Sequence, residues 1–299
     1  MSDLLSKFDA VSVSADSRIS SSDRMFCEQN QAAYEAAILA YQGFSCYWAE
    51  MEQEQETLKK DIASRYKHDY LHSTNGPKIT DSLIRKHIHA LHADFIHVIT
   101  SYFCNQYKIT VSESEIVDVL VPKEPEYWPG SDNSEHDAYL QTMRDMRIRY
   151  SEVVEQIMLR LDGRGLTEQA FYELRRKCQE TAYWANGTHD PRFERKKDVI
   201  RLKELFCKKR GWPHDDWEIY DNTQDLIRGL AHFETGAYDS FPDGLSQMIG
   251  WRGPKTDTLD FPSCVKLKQI KLFKNGRMDV RFTSAAYAEE FVAKYLATE

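Results

Sequence analysis

Residues 265–297 read VKLKQIKLFKNGRMDVRFTSAAYAEEFVAKYLA. Two β-like runs, VKLKQIKLF and RMDVRF, flank Lys274-Asn275-Gly276. Asn-Gly between such runs is the strongest short hairpin signal, because both residues tolerate positive φ. Thr283-Ser284 then caps a helix over AAYAEEFVAKYLA, whose Tyr287, Phe291, Val292 and Tyr295 can pack back on the hairpin. The rest of the chain is mainly helical in pattern, so this closing segment decides the class. The expected fold is α+β, mainly helical, with a small C-terminal β-hairpin followed by a helix.

Upstream, DNTQDLIRGLAHFETG (221–236) reads as a helix capped near Asn222 or Thr223 and stopped at Gly236. The stretch 192–210, RFERKKDVIRLKELFCKKR, reads as helical or irregular. Residues 136–190 read as a helical pair. AYLQTMRDMRIRYSEVVEQIMLRL comes first, Asp162-Gly163-Arg164-Gly165 makes the turn, and LTEQAFYELRRKCQETAYW follows. Residues 110–135 combine a short β-like run, IVDVLVP, with an acidic loop rich in Pro, Gly and Ser.

A second helix, to about Tyr107, begins at Thr80 or Asp81 after the breaker Asn75-Gly76-Pro77. Its apolar stripe is Ile84, Ile88, Leu91, Phe95, Val98 and Tyr102. Before it lies one long helix, or two meeting near Gly43, starting about Met25. The implied segments are a mobile Ser-rich tail (1–24), a helical region (25–109), the acidic loop (110–135), the helical pair as a possible insertion (136–190), and a C-terminal unit (191–299).

Of 299 residues, 41% are hydrophobic, enough for a core, so wholesale disorder is excluded. Lys and Arg number 39 against 47 Asp and Glu, a net of −8, which excludes a uniformly basic nucleic-acid coat. No apolar run is long enough for a bilayer span, and the start lacks a signal-peptide core. The six cysteines are scattered without a C-x-x-C pair, which suits a reducing compartment. The expected location is cytoplasmic, with no membrane partner.

The charge is uneven. Residues 192–210 hold nine basic and three acidic side chains. The hairpin adds Lys266, Lys268, Lys271, Lys274, Arg277 and Arg281 against one acid, Asp279. A basic run is ordinarily a solvated face, and lysines on edge strands deter aggregation. Two basic segments on an acidic chain also suit a nucleic-acid-facing side. The candidate binding residues are Arg195, Lys196, Lys197, Lys208, Lys209, Arg210, Lys266, Lys268, Lys271, Lys274 and Arg277.

Asp190, Glu194 and Lys196 form a D…E-x-K arrangement, in which two carboxylates hold a divalent ion and the lysine orients water. That chemistry wants E-x-K on a strand, where alternate side chains share a face. His87, His89, His92 and His97 scatter around their helix at about 100° per residue and cannot gather on one metal. His68 and His72 are an i, i+4 pair without the H-E-x-x-H glutamate. No G-x-G-x-x-G, P-loop or G-x-S-x-G occurs, so no cofactor is expected.

Residues 272–297 and DLIRGLAHFETG (225–236) together resemble an uncharacterised bacterial family, domain of unknown function 4942. Asp225, Leu226, Arg228 and His232 match its helix, Phe273, Lys274 and Gly276 its Phe-Lys-x-Gly turn, and LHADFIHVITSYF (91–103) is a weaker echo. Asp279 stands where such members carry an apolar residue or His. The resemblance implies a mobile-element context: prophages, plasmids, toxin–antitoxin loci and fusions to predicted adenine methyltransferases. It carries no catalytic residues.

The leading expectation is a non-enzymatic nucleic-acid-associated accessory protein of a prophage, plasmid or defence locus. The alternatives are an interaction module acting on a protein of a host, phage or modification system, with a DNA-mimicking acidic surface as one form of it, and a metal-dependent nuclease.

Overall fold

A computed structural model describes residues 18–66, 81–126, 134–184, 190–211, 214–250 and 252–298. The chain divides into two units, at Leu166/Thr167.

The first unit is helical. α1 (Ser21–Tyr66) runs unbroken through Gly43. Its start is built by residues read above as a tail. The Ser20 N–H donates to Asp23 Oδ2 at 3.0 Å, and the Asp23 N–H donates to Ser20 Oγ at 3.1 Å, a reciprocal cap. Asp23 is buried and also accepts the hydroxyls of Tyr102 (2.9 Å) and Tyr107 (2.5 Å), so the cap is tied to the far end of α2 (Asp81–Tyr107). The proposed breaker at 75–77 and the histidines at 68 and 72 lie outside the described residues.

α2 buries Ile84, Ile88, His92, Phe95, Ile96, Ile99 and Phe103, while Val98 is exposed. The expected stripe followed a 3.5-residue period. A straight α-helix has 3.6, so its buried face drifts by about 20° per heptad and moves from Leu91 and Val98 to His92 and Ile99.

Residues 113–120 correct the β-like reading. They form α3 (Glu113–Leu120), with Glu113 and Glu115 favourably placed in its first turn and Ile116 buried. The first member of the helical pair is two helices, α4 (Ser134–Asp145) and α5 (Tyr150–Leu159). Side chains of α1 hold the break between them. Tyr34 Oη accepts the Ile148 N–H at 3.2 Å, Gln31 Oε1 accepts the Tyr150 N–H at 2.7 Å, and Gln31 Nε2 donates to the Ile148 carbonyl at 3.1 Å.

The second unit begins within α6 (Leu166–Ala182). The basic run, read as helical or irregular, is instead a β-hairpin, β1 (Phe193–Lys196) and β2 (Val199–Leu202), followed by β3 (Cys207–Lys209). β4 (Trp217–Ile219) pairs with β3. Then come α7 (Asp221–Thr235), β5 (Thr258–Asp260), β6 (Leu267–Leu272), β7 (Met278–Phe282) and α8 (Ala285–Phe291), which ends in a wider π-type turn over Val292–Leu296. The expected hairpin, the Ser284 cap (accepting the Tyr287 N–H at 3.3 Å) and the stop at Gly236 (φ 76°) are all present.

The sheet order is β1-β2-β7-β6-β5, antiparallel throughout. One face is apolar: Ile200, Leu202, Met278, Val280, Phe282, Ile270 and Leu272 are buried against α7 and α8, where Phe233, Phe282, Phe291 and Tyr295 form an aromatic cluster. α6 joins this core at Cys178 and Ala182, and Gly229 lets α7 approach it: a Cβ there would stand 2.5 Å from Cys178 Sγ.

Candidate nucleic-acid interface

Alternation along the strands decides which charged side chains share the other face. In register across it run Glu194–Arg201–Asp279–Lys271–Thr258 and, two residues along, Lys196–Val199–Arg281–Gln269–Asp260. The two basic segments of the sequence therefore meet, because β2 of the first pairs with β7 of the second.

Asp279 stands at the centre of this face. Arg201 Nε lies 3.5 Å and Arg277 Nε 3.2 Å from its Oδ1. Lys271 is its cross-strand partner on β6, and Arg281 follows two residues on along β7. Two guanidinium groups thus lie within ion-pair distance of one carboxylate, and Lys271 and Arg281 occupy neighbouring positions of the same face. The acids Glu194 and Asp260 lie on the outer strands, and Asp198 sits at the β1–β2 turn, 3.6 Å from Arg281 Nε. Arg281 and Lys271 are exposed, whereas Arg201 and Arg277 are half-buried.

The hairpin turn adds an aromatic. The Arg277 guanidinium lies 3.6 Å from the Phe273 ring centroid, and Lys271 Nζ lies 5.4 Å from it. The turn is fixed: the Phe273 N–H donates to the Arg277 carbonyl (3.0 Å), the Gly276 N–H to the Phe273 carbonyl (2.9 Å), and the Phe206 N–H to the Gly276 carbonyl (3.0 Å). Gly276 has φ +84°, and a Cβ there would stand 2.9 Å from the Leu205 nitrogen, so a side chain is excluded on both counts.

Of the candidate residues, Lys196, Lys271 and Arg277 belong to this face. Lys197 is exposed at the β1–β2 turn with φ 56°, Lys268 is exposed where the β6–β7 register shifts, and Lys274 is exposed beside Phe273. Lys208 is exposed on the separate β3–β4 pair. Four others have structural partners. Arg195 alternates to the helix-covered side and pairs with Glu289 at 3.3 Å. Lys209 Nζ donates to the carbonyls of Asp215 and Lys255, each at 3.2 Å. Arg210 lies 3.6 Å from Glu218. Lys266 Nζ donates to the Phe233 carbonyl at the end of α7.

Arg201 and Arg281 were not singled out as binding residues, although both lie in the basic segments. Their signal was period-two alternation in VIRL and MDVRF, hidden in the first case by the helical reading of 192–210.

Glu194 and Lys196 do lie on a strand, facing the same way, with Lys196 Nζ 3.2 Å from Glu194 Oε1. Asp190 lies before that strand, and among the described residues no three His, Cys, Asp or Glu side chains gather as an ion-holding group. The α2 histidines diverge. His87 stacks on Tyr41, His97 meets Glu113, His92 is buried, and His89 lines a cavity of about 280 Å³ with Lys86, Glu124, His136 and Tyr139.

The α7 residues carrying the family resemblance have structural partners. Arg228 pairs with Asp225 at 2.7 Å, and His232 Nδ1 shares a 2.7 Å hydrogen bond with Tyr295 Oη. Burial holds the His232 imidazole below the usual histidine range, with Lys294 and Lys266 adding to the effect. No helix among the described residues is long and apolar enough to cross a membrane. No protein family, curated protein or solved structure matches this chain.

Proposed function

We propose that the open sheet face binds the phosphodiester backbone of nucleic acid, and that the chain is a non-enzymatic accessory protein of a prophage, plasmid or defence locus. The observation that carries this reading is the meeting of Arg201, Lys271, Arg277 and Arg281 on one sheet face around the position of Asp279, drawn from two segments distant in sequence. Guanidinium groups suit phosphate because their donors are planar and can act in pairs. The mobile-element context and kinship to domain of unknown function 4942 belong to this proposal and rest on the resemblance of 225–236 and 272–297.

The test is binding of labelled DNA and RNA oligonucleotides by anisotropy between about 50 and 200 mM salt. Lys271→Glu with Arg281→Glu, both exposed, should weaken binding tenfold or more and flatten the salt dependence. Lys59→Glu with Lys60→Glu, exposed on α1, controls for net charge and should leave affinity within a few-fold. Salt-independent binding, or binding to no oligonucleotide, would overturn the reading.

A further inference from the structure

We infer that the ligand of this face is single-stranded nucleic acid, with the Phe273–Arg277 pair as the platform on which a base stacks; this rests on the nucleic-acid reading above. The argument begins with shape. Five strands about 4.8 Å apart make a surface about 19 Å wide, broader than the roughly 12 Å major groove that admits a helix or a two-stranded ribbon. The sheet therefore cannot enter a duplex groove face-on. A strand laid across it brings both phosphates and unstacked bases to the surface.

The second step is chemistry. Phosphate contacts need only the cations around Asp279. The stacked Phe273 and Arg277 offer something more, since a base stacks on either an aromatic ring or a guanidinium plane. A paired base has both faces covered by its neighbours and cannot use such a platform without leaving the stack.

The third step is rigidity. Phe206 and Gly276 fasten the turn that carries Phe273, and Cys207 Sγ lies 3.4 Å from the Arg277 carbonyl and 3.8 Å from that of Phe273. Arg277 Nε also lies 3.2 Å from Asp279 Oδ1, an ion pair. A stacking surface held in place before binding loses little freedom when a base arrives.

The experiment compares the full chain with single strands of DNA and RNA of about 12 nucleotides and with the corresponding duplexes. Single strands should bind at least tenfold more tightly than duplex, and the DNA and RNA arms decide which backbone is taken. Phe273→Ala should lower single-strand affinity about tenfold with the salt slope unchanged, because a stacked base rather than an ion pair is lost. Phe273→Leu keeps apolar bulk at the turn and should show the same loss, whereas Phe273→Trp should retain affinity. Melting curves check that each variant folds.

Equal or tighter duplex binding, or unchanged single-strand affinity in both Phe273→Ala and Phe273→Leu, overturns the inference. If Lys271→Glu with Arg281→Glu still weakens binding in that case, the broader phosphate-binding reading stands. Failure to bind any strand or duplex overturns both.

Discussion

Tyr34 donates its hydroxyl proton to His92 Nδ1 across 2.7 Å, and the opposite ring nitrogen, Nε2, donates to the Met143 carbonyl at 3.0 Å. A carbonyl only accepts, so the proton sits on Nε2 and Nδ1 accepts from Tyr34. One neutral imidazole thereby ties α1, α2 and α4 together inside the first unit.

Burial holds the His92 pKa below the ordinary histidine value, with His89 and Arg147 nearby pushing the same way. The unfolded chain therefore binds this proton at a higher pH than the folded one. The stabilisation is full above about pH 6.5 and is lost as pH falls toward the lowered folded value. Melting temperature should fall on acidification from pH 7 to 5, and part of that slope should vanish in His92→Gln. An unchanged slope in the variant would refute the assignment.

Asp23 is shifted in the same direction as His92, for a different reason. Burial pushes its carboxyl up, but hydrogen bonds from Tyr107, Ser20 and Tyr102 outweigh this, and the net shift is downward. Tyr102 and Tyr107 are in turn pushed up to about 12 by burial and by bonding to Asp23. The stabilisation is full above the ordinary aspartate value and is lost as pH falls through the folded one. Asp23→Ala removes the cap and strands two tyrosine hydroxyls, at a cost of about 2–4 kcal/mol. Urea denaturation at pH 7 measures it, and a loss below about 0.5 kcal/mol would show that the network contributes little.

Gly229→Ala should destabilise the second unit by about 1–3 kcal/mol, because the new Cβ would stand 2.5 Å from Cys178 Sγ. Cys178→Ala removes that sulfur. The double variant should therefore be less destabilised than the sum of the two single changes. Strict additivity in denaturation midpoints would mean that the clash lies elsewhere.

Asp279→Asn removes the carboxylate that pairs with Arg201 and Arg277. On the nucleic-acid reading, affinity at low salt should rise while its dependence on salt steepens by about one charge. If affinity falls with an unchanged melting temperature, orientation of the arginines by Asp279 outweighs its charge.

Much of the second unit could be read from local chemistry. Asn275-Gly276 fixed the hairpin, Ser284 the last cap and Gly236 the end of α7, since each depends on backbone preferences of a few neighbouring residues. The β1–β2 hairpin was not legible. Arg195-Lys196-Lys197-Asp198 has no Gly, Pro or Asn and only Asp198 as a turn former, and its strands exist because Ile200 and Leu202 find Val280 and Met278, far away in sequence. The break between α4 and α5 was hidden for a similar reason, since the groups that hold it belong to Gln31 and Tyr34 on α1. The candidate face was half legible. Its cations could be counted, but their side of the sheet followed only from the register.

The position of β7 bears on how the protein is made. It is the last strand along the described chain and the middle one in the sheet, between β2 and β6. During synthesis β1 and β2 leave the ribosome well before their partner exists, with the backbone edge of Val199–Leu202 unsatisfied and Ile200 and Leu202 uncovered. The second unit can close only after Met278–Phe282 has emerged, so assembly waits on translation. Until then Glu194, Arg195 and Lys196 guard the outer edge of the hairpin, and the waiting edge of β2 carries the charge of Arg201.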